Sequence, residues 1–197
     1  MMLLLKGGRV IDPANDLDAV LDVLVADGKI KAVEENIQVL DAVVYDVRGK
    51  IVTPGWIDMH VHLREPGFEH KETIYTGTRA AVAGGITAVA AMPNTNPVAD
   101  NQSVITFVKE KGQQAGYAKV FPVGAITKGS QGEELAEIGD MYEAGAVALS
   151  DDGKPVMNGQ LMRLAMEYAR MFNLPLISHA EDSKLANEGF MHEGYVS

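Results

Sequence analysis

Ile57-Asp58-Met59-His60-Val61-His62-Leu63-Arg64-Glu65-Pro66-Gly67 marks the point where the chain changes its pattern. The run Ile57–Val61 is short, passes directly into polar residues, and is closed by Glu-Pro-Gly. Such a run reads as a buried strand feeding a loop. Four more runs of this kind follow, at Thr87–Met92, Lys119–Val123, Ala146–Leu149 and Leu174–Ile177. Their starts recur about every 30 residues, the size of one βα unit. Helical patterns fill the gaps. Leu161, Leu164, Ala165, Tyr168 and Phe172 share one face of an amphipathic helix. Leu135, Ile138 and Tyr142 predict a shorter helix, and Asp100 is the expected N-cap of one running through Val104, Ile105 and Val108. Met157, Met162, Met166 and Met171 read as helix packing rather than a ligand set.

Alternating strands and helices leave two architectures, a doubly wound sheet or a closed barrel. No Gly-x-Gly-x-x-Gly follows the first strand, which weighs against the dinucleotide-binding sheet. Polar residues gather instead at the C-terminal ends of several strands, as a barrel enzyme requires. The expected fold is therefore α/β, a (β/α)8 TIM barrel over residues 53–197 with only about its first five βα units present. Residues 1–52 are different in kind. Short β-rich runs at Met2–Leu5, Val20–Ala26, Lys29–Val33 and Val43–Val47 alternate with turns, and Asp27-Gly28 is a strong hairpin signal. A small β module is expected there.

Composition narrows the function classes. Of 197 residues, 47% are hydrophobic and 22% charged, the balance of a folded globular domain. A formal charge of -10 argues against a nucleic-acid partner, whose binding needs clustered cations. The absence of Cys excludes disulfides, thiolate-bound zinc and thiol catalysis, and fits a reducing cytoplasm. The apolar start Met1–Leu5 is interrupted by Lys6, Gly7, Gly8 and Arg9, the wrong order for a signal peptide. No run approaches the roughly 18 apolar residues of a membrane span. The expected setting is cytoplasmic, with no membrane contact.

His60 and His62 are the first candidates for chemistry. Residues i and i+2 of a strand point to the same side, so both imidazoles can face the barrel interior and share a metal ion. Two structural histidines in a strand would satisfy the same pattern. Asp151 and Asp152 follow another strand, where an ordinary Asp-Asp-Gly turn is the alternative, and His179 follows a third. Strand ends of one parallel sheet lie together, and that coincidence favours a metal site over three unrelated ones. Arg64, two residues past His62, is placed to grip a carboxylate with its guanidinium fork, or else to pair with Glu65 or Glu69. Asn94, in Met92-Pro93-Asn94-Thr95, offers a donor and an acceptor beside it, or is a plain turn residue. His70 and His192 lie in polar stretches and read as surface residues.

Asp58-Met59-His60-Val61-His62-Leu63-Arg64-Glu65-Pro66-Gly67 resembles the DxHxHLREPG signature of dihydroorotases. Glu69–Thr73, Met92–Pro97, Ser150–Gly153 and His179–Asp182 resemble further segments of that family, in the same order. Lys6–Pro13 is similar to the opening of many cyclic amidohydrolases. The resemblance implies that His60 and His62 bind one metal, that Asp152 rather than Asp151 supplies the carboxylate ligand, and that His179 serves a second metal position. It implies Arg64 and Asn94 as the holders of the substrate carboxylate, and a supporting role for Asp58. The implied cofactor is zinc, one or two ions, with the second site incomplete in this chain.

The implied reaction is the reversible cyclisation of N-carbamoyl-L-aspartate to L-dihydroorotate in pyrimidine biosynthesis. The family takes a further His and its general acid/base Asp from later strands, so that residue is expected beyond Ser197 and no catalytic residue is assigned within the chain. On this resemblance the chain is expected to be an inactive N-terminal portion, its β module completed into a composite β-sandwich by later segments. A homodimer is expected, with aspartate transcarbamoylase as a further candidate partner. The rival readings are an allantoinase, a hydantoinase, or a non-catalytic dihydroorotase-like scaffold. Hydantoinases act on uncharged rings that give Arg64 nothing to hold, and scaffolds lose ligands that are present here.

Overall fold

The computed structural model describes residues 1–192 and 194–196. The chain divides into two compact units, Met1–Trp56 and the remainder from Ile57. Unit one holds a single sheet of five strands: β1 (Met2–Asp12), β2 (Leu17–Ala26), β3 (Lys29–Glu34), β4 (Ala42–Asp46) and β5 (Ile51–Val52). The order is β3-β2-β1-β4, with β5 also paired to β1. Strands β1, β2 and β3 form antiparallel pairs, and Asp27 and Gly28 both take positive φ in the turn between β2 and β3. The hairpin is the one Asp27-Gly28 predicts. A sandwich requires two sheets, and among the described residues this unit supplies one.

One buried carboxylate organises that sheet. The β1–β2 register shifts between Leu5 and Gly8, where Gly7 adopts φ +73. Asp22 fills the irregularity, accepting from Gly7 N at 2.7 Å and Ile37 N at 3.0 Å, with Lys6 Nζ at 3.3 Å. The bond to Gly7 N satisfies a backbone donor at the break in the ladder, and the other two tie the loop after β3 and the Lys6 side chain to the same carboxylate.

Unit two alternates strand and helix: β6 (Trp56–Val61), α1 (Ile74–Ala83), β7 (Ile86–Ala91), α2 (Gln102–Ala115), β8 (Lys119–Gly124), α3 (Ile138–Ala144), β9 (Ala148–Ser150), α4 (Gly159–Arg170), β10 (Leu176–Ile177) and the short α5 (Ser183–Ala186). Its sheet runs in sequence order, β6-β7-β8-β9-β10, with β7–β8, β8–β9 and β9–β10 paired in parallel. This is a curled, partial barrel. The period-2 alternation sorts β7 between two apolar clusters. Val89 and Ala91 pack with Ile105 and Val108 of α2, Met141 of α3 and Ala165 of α4. Ala90 joins Met92, Val123, Ala148 and Ile177 on the other face.

Three local expectations need correction. Asn101, not Asp100, caps α2: its side chain accepts from Ser103 N and Val104 N. Asp100 serves another loop, accepting from Gly129 N at 2.8 Å. In α4 the buried residues are Leu161, Ala165 and Ala169, while Leu164 is exposed. Residues i, i+4 and i+8 form one narrow strip toward the sheet, and Leu164 lies on its flank. Met162 packs against the core, whereas Met157, Met166 and Met171 are exposed, so that set is not a packing stripe.

Candidate metal centre

Strand alternation puts Asp58 and His60 of β6 on the same side, and His62, the residue after the strand, joins His60 there. Ligand atoms of His60, His62 and Asp152 all lie within 4.8 Å of one another. His60 Nε2 is 3.2 Å from Asp152 Oδ1, and His62 Nε2 is 3.6 Å from Asp152 Oδ2. The two imidazoles meet edge to face with centroids 5.2 Å apart, so they can address one point without stacking. Asp58 Oδ1 accepts from His60 N at 3.1 Å and braces the backbone beneath the first histidine.

The second ring is oriented by Asn94, whose Oδ1 lies 2.9 Å from His62 Nδ1. With the amide oxygen as acceptor, this contact suits the tautomer that has Nδ1–H, and the other ring nitrogen, Nε2, faces Asp152. An outer acceptor of this kind orients a metal-binding histidine. Two imidazoles and one carboxylate, converged and partly shielded, suit a zinc-like ion.

Asp151 faces elsewhere. It is 2% exposed, and it accepts from Ile126 N at 2.8 Å, Thr127 N at 3.1 Å and the Thr127 hydroxyl. His179 lies outside the three-residue group, with Nε2 3.3 Å from Glu181 Oε2. His70 and His192 are exposed, and His70 packs edge to face on Phe68.

Arg64 is half-buried at φ +62, and its guanidinium has no side-chain partner among the described residues. Both carboxylates that could have paired with it are occupied. Glu65, almost wholly buried, accepts from Ile74 N at 2.8 Å at the start of α1 and lies 3.6 Å from Lys111 Nζ. Glu69 accepts from Gly67 N at 2.9 Å. That bond contributes most to holding the Glu69 carboxyl below its ordinary range.

The loops bearing Arg64 and Asn94 are bound backbone to backbone. Asn96 N donates to Pro66 O at 2.9 Å, and Gly67 at φ +96 lies so close that a Cβ there would sit 2.1 Å from Asn96 O. Sequence reasoning missed the structural work of Glu65 and Asp151. The available signal for Glu65 was its place nine residues before an apolar helix start; for Asp151 there was none beyond the Asp-Asp pair itself.

A family described as Dihydro-orotase-like matches residues 49–197. A dihydroorotase from Pelotomaculum thermopropionicum is 60% identical over 197 residues, covering 100% of this chain and 46% of that protein. A dihydroorotase from Syntrophotalea carbinolica is 56% identical over the same length, again covering 46% of the relative. The chain thus spans about half the length of the curated relatives it matches. Among solved structures, L-hydantoinase (dihydropyrimidinase) from Arthrobacter aurescens superposes with a TM-score of 0.80 at 22% identity, over 94% of this chain and 42% of that one. At that identity the likeness speaks for the fold alone. No helix among the described residues is long and apolar enough to cross a membrane.

Proposed function

The chain belongs to the dihydro-orotase-like family, and from that premise we propose that it carries the metal cage and carboxylate clamp of a dihydroorotase. The reaction is the reversible cyclisation of N-carbamoyl-L-aspartate to L-dihydroorotate, and the setting is cytoplasmic pyrimidine biosynthesis. The observation that carries this reading is the convergence of His60, His62 and Asp152, with the His62 ring oriented by Asn94.

His60, His62 and Asp152 would hold zinc, with His179 assigned to a second ion. Bound there, the ion supplies an activated water and polarisation of the amide carbonyl. The chain's own residues do the positioning. Arg64 offers an unpaired guanidinium to the substrate carboxylate, and Asn94, with Oδ1 engaged by His62, has its amide hydrogens left to donate. Asn94 therefore links substrate orientation to ligand orientation in one side chain. The proton carrier is assigned to a later part of the family's barrel, and the unit-one sheet to one layer of a composite sandwich.

The free Arg64 favours this substrate over a hydantoin, whose ring presents no carboxylate. Retention of His60, His62 and Asp152 favours an enzyme over a scaffold. A homodimer and an association with aspartate transcarbamoylase complete the reading on family resemblance alone. The test is a chimera joining this chain to the unaligned remainder of the Pelotomaculum thermopropionicum dihydroorotase. The zinc-loaded chimera should open dihydroorotate, followed by its ultraviolet loss, and Asp152→Ala should abolish it. A folded, zinc-binding chimera without turnover refutes the assignment.

A further inference from the structure

Asp151 and Asp152 are adjacent, chemically identical, and committed to opposite sides of the chain. Asp152 reaches His60 and His62. Asp151 reaches back to the loop after β8, and all three of its side-chain hydrogen bonds come from Ile126 and Thr127. The Thr127 hydroxyl donates to Asp151 and accepts from Gly132 N at 2.9 Å, which fixes its orientation. That loop is itself tied down. Ala136 N donates to Ile126 O, Lys128 N to Glu134 O, and Gly129 N to Asp100. On its other side Asp151 closes the turn beneath Asp152, its carbonyl accepting from Lys154 N at 2.8 Å across Gly153 at φ +80.

From this geometry we infer that Asp151 is the positioning residue for Asp152, anchoring the turn so that its neighbour's carboxylate is presented to His60 and His62 before any ion arrives. The inference rests on the reading of His60, His62 and Asp152 as a metal site. A ligand on a Gly-containing turn would otherwise have to be ordered at the moment of binding, at a cost in conformational entropy. A carboxylate with three buried donors holds the turn rigidly, and outer groups that orient ligands typically govern metal affinity by roughly tenfold to a hundredfold.

The test uses the 197-residue chain, zinc titration against a competing chelator, the visible spectrum of the cobalt-substituted site, and thermal unfolding of the metal-free form. Asp151→Asn should lower zinc affinity by about tenfold or more and alter the cobalt spectrum, since the ligand set becomes disordered. Thr127→Val, which removes one donor and keeps the carboxylate, should move both readouts the same way by less. The two changes combined should cost less than the sum of their separate logarithmic effects. Variants that melt earlier yet keep wild-type affinity and spectrum overturn the inference and leave Asp151 purely structural. If Asp151→Asn does not fold, Thr127→Val decides alone. Asp152→Asn tests the underlying site separately: unchanged affinity in that variant, or no zinc binding by the wild type, removes the metal reading itself.

Discussion

His62 Nδ1 sits 2.9 Å from Asn94 Oδ1, so a residue just past β7 orients the ring of a histidine just past β6. Asn94→Ala should therefore do more than weaken substrate binding. It frees the imidazole to rotate and to adopt the other tautomer, and zinc affinity should fall by about tenfold to a hundredfold. Asn94→Asp keeps an acceptor for Nδ1–H and should retain most of the affinity while repelling a carboxylate substrate. Zinc competition titration checks the first effect, and the Michaelis constant in the chimera checks the second.

Arg64 should behave in the opposite way. Its guanidinium has no partner to lose among the described residues, so Arg64→Ala should leave zinc affinity and thermal stability close to wild type. Removing a charge-assisted contact to a buried carboxylate costs on the order of 2–5 kcal/mol. That loss should appear in dihydroorotate binding and in the chimera's kcat/KM. An unchanged Michaelis constant and turnover would take Arg64 out of the pocket.

The contrast between these residues shows what was legible in the sequence. His60 and His62 can be paired from the chain alone because strand alternation is a local rule. Arg64 is harder, because only the structure shows Glu65 bound to Ile74 N and Glu69 to Gly67 N, leaving no carboxylate for it. Asp151 and Asp152 cannot be told apart by residue type or local pattern. What separates them is the position of Ile126 and Thr127, some 25 residues earlier, and that depends on how β8 and β9 pair. Leu164 and Met166 fail for a related reason: hydropathy marks apolar residues, but not which flank of a helix has a neighbour.

Gly67→Ala should be severely destabilising. The new Cβ would meet the backbone oxygen of Asn96 at 2.1 Å, where no rotamer change can relieve it, and φ +96 is unfavourable for any side chain. Backbone strain of this kind costs roughly 1–3 kcal/mol before the clash is counted. The loop would have to separate from Asn96, moving Arg64 relative to Asn94. A thermal midpoint within a degree or two of wild type would mean that the two loops are not locked.

Asp46 provides a pH prediction in unit one. The Arg48 guanidinium, with help from Arg48 N, holds its carboxyl down to about 2 from an ordinary value of 3.8. A depressed carboxylate stabilises the folded state above its ordinary pKa, and that contribution fades as pH falls from about 4 through about 2. The pair is fully exposed, so its weight in overall stability is small. Carbon-detected NMR titration should find the Asp46 midpoint near 2, and Arg48→Ala should return it toward the ordinary range.

The 197-residue chain by itself should show no dihydroorotate ring opening, even with zinc supplied. On the proposed reading its residues supply a metal cage and a carboxylate clamp, but the family resemblance assigns the proton carrier elsewhere, and such a group contributes about 10²–10⁴-fold. A second loss compounds the first. Strand β6, which carries His60, lies at an edge of the sheet, and Ile57 and Met59 along it are 63% and 73% exposed. Side chains on an uncovered edge strand hold their positions poorly, and a site must be held within about 0.5 Å of its productive geometry to be effective. The measurement is ultraviolet loss of dihydroorotate with the purified chain and added zinc. Turnover that survives size-exclusion purification and disappears in His60→Ala would show that this chain contains its own acid/base, and the assignment of that role to a later strand would have to be abandoned.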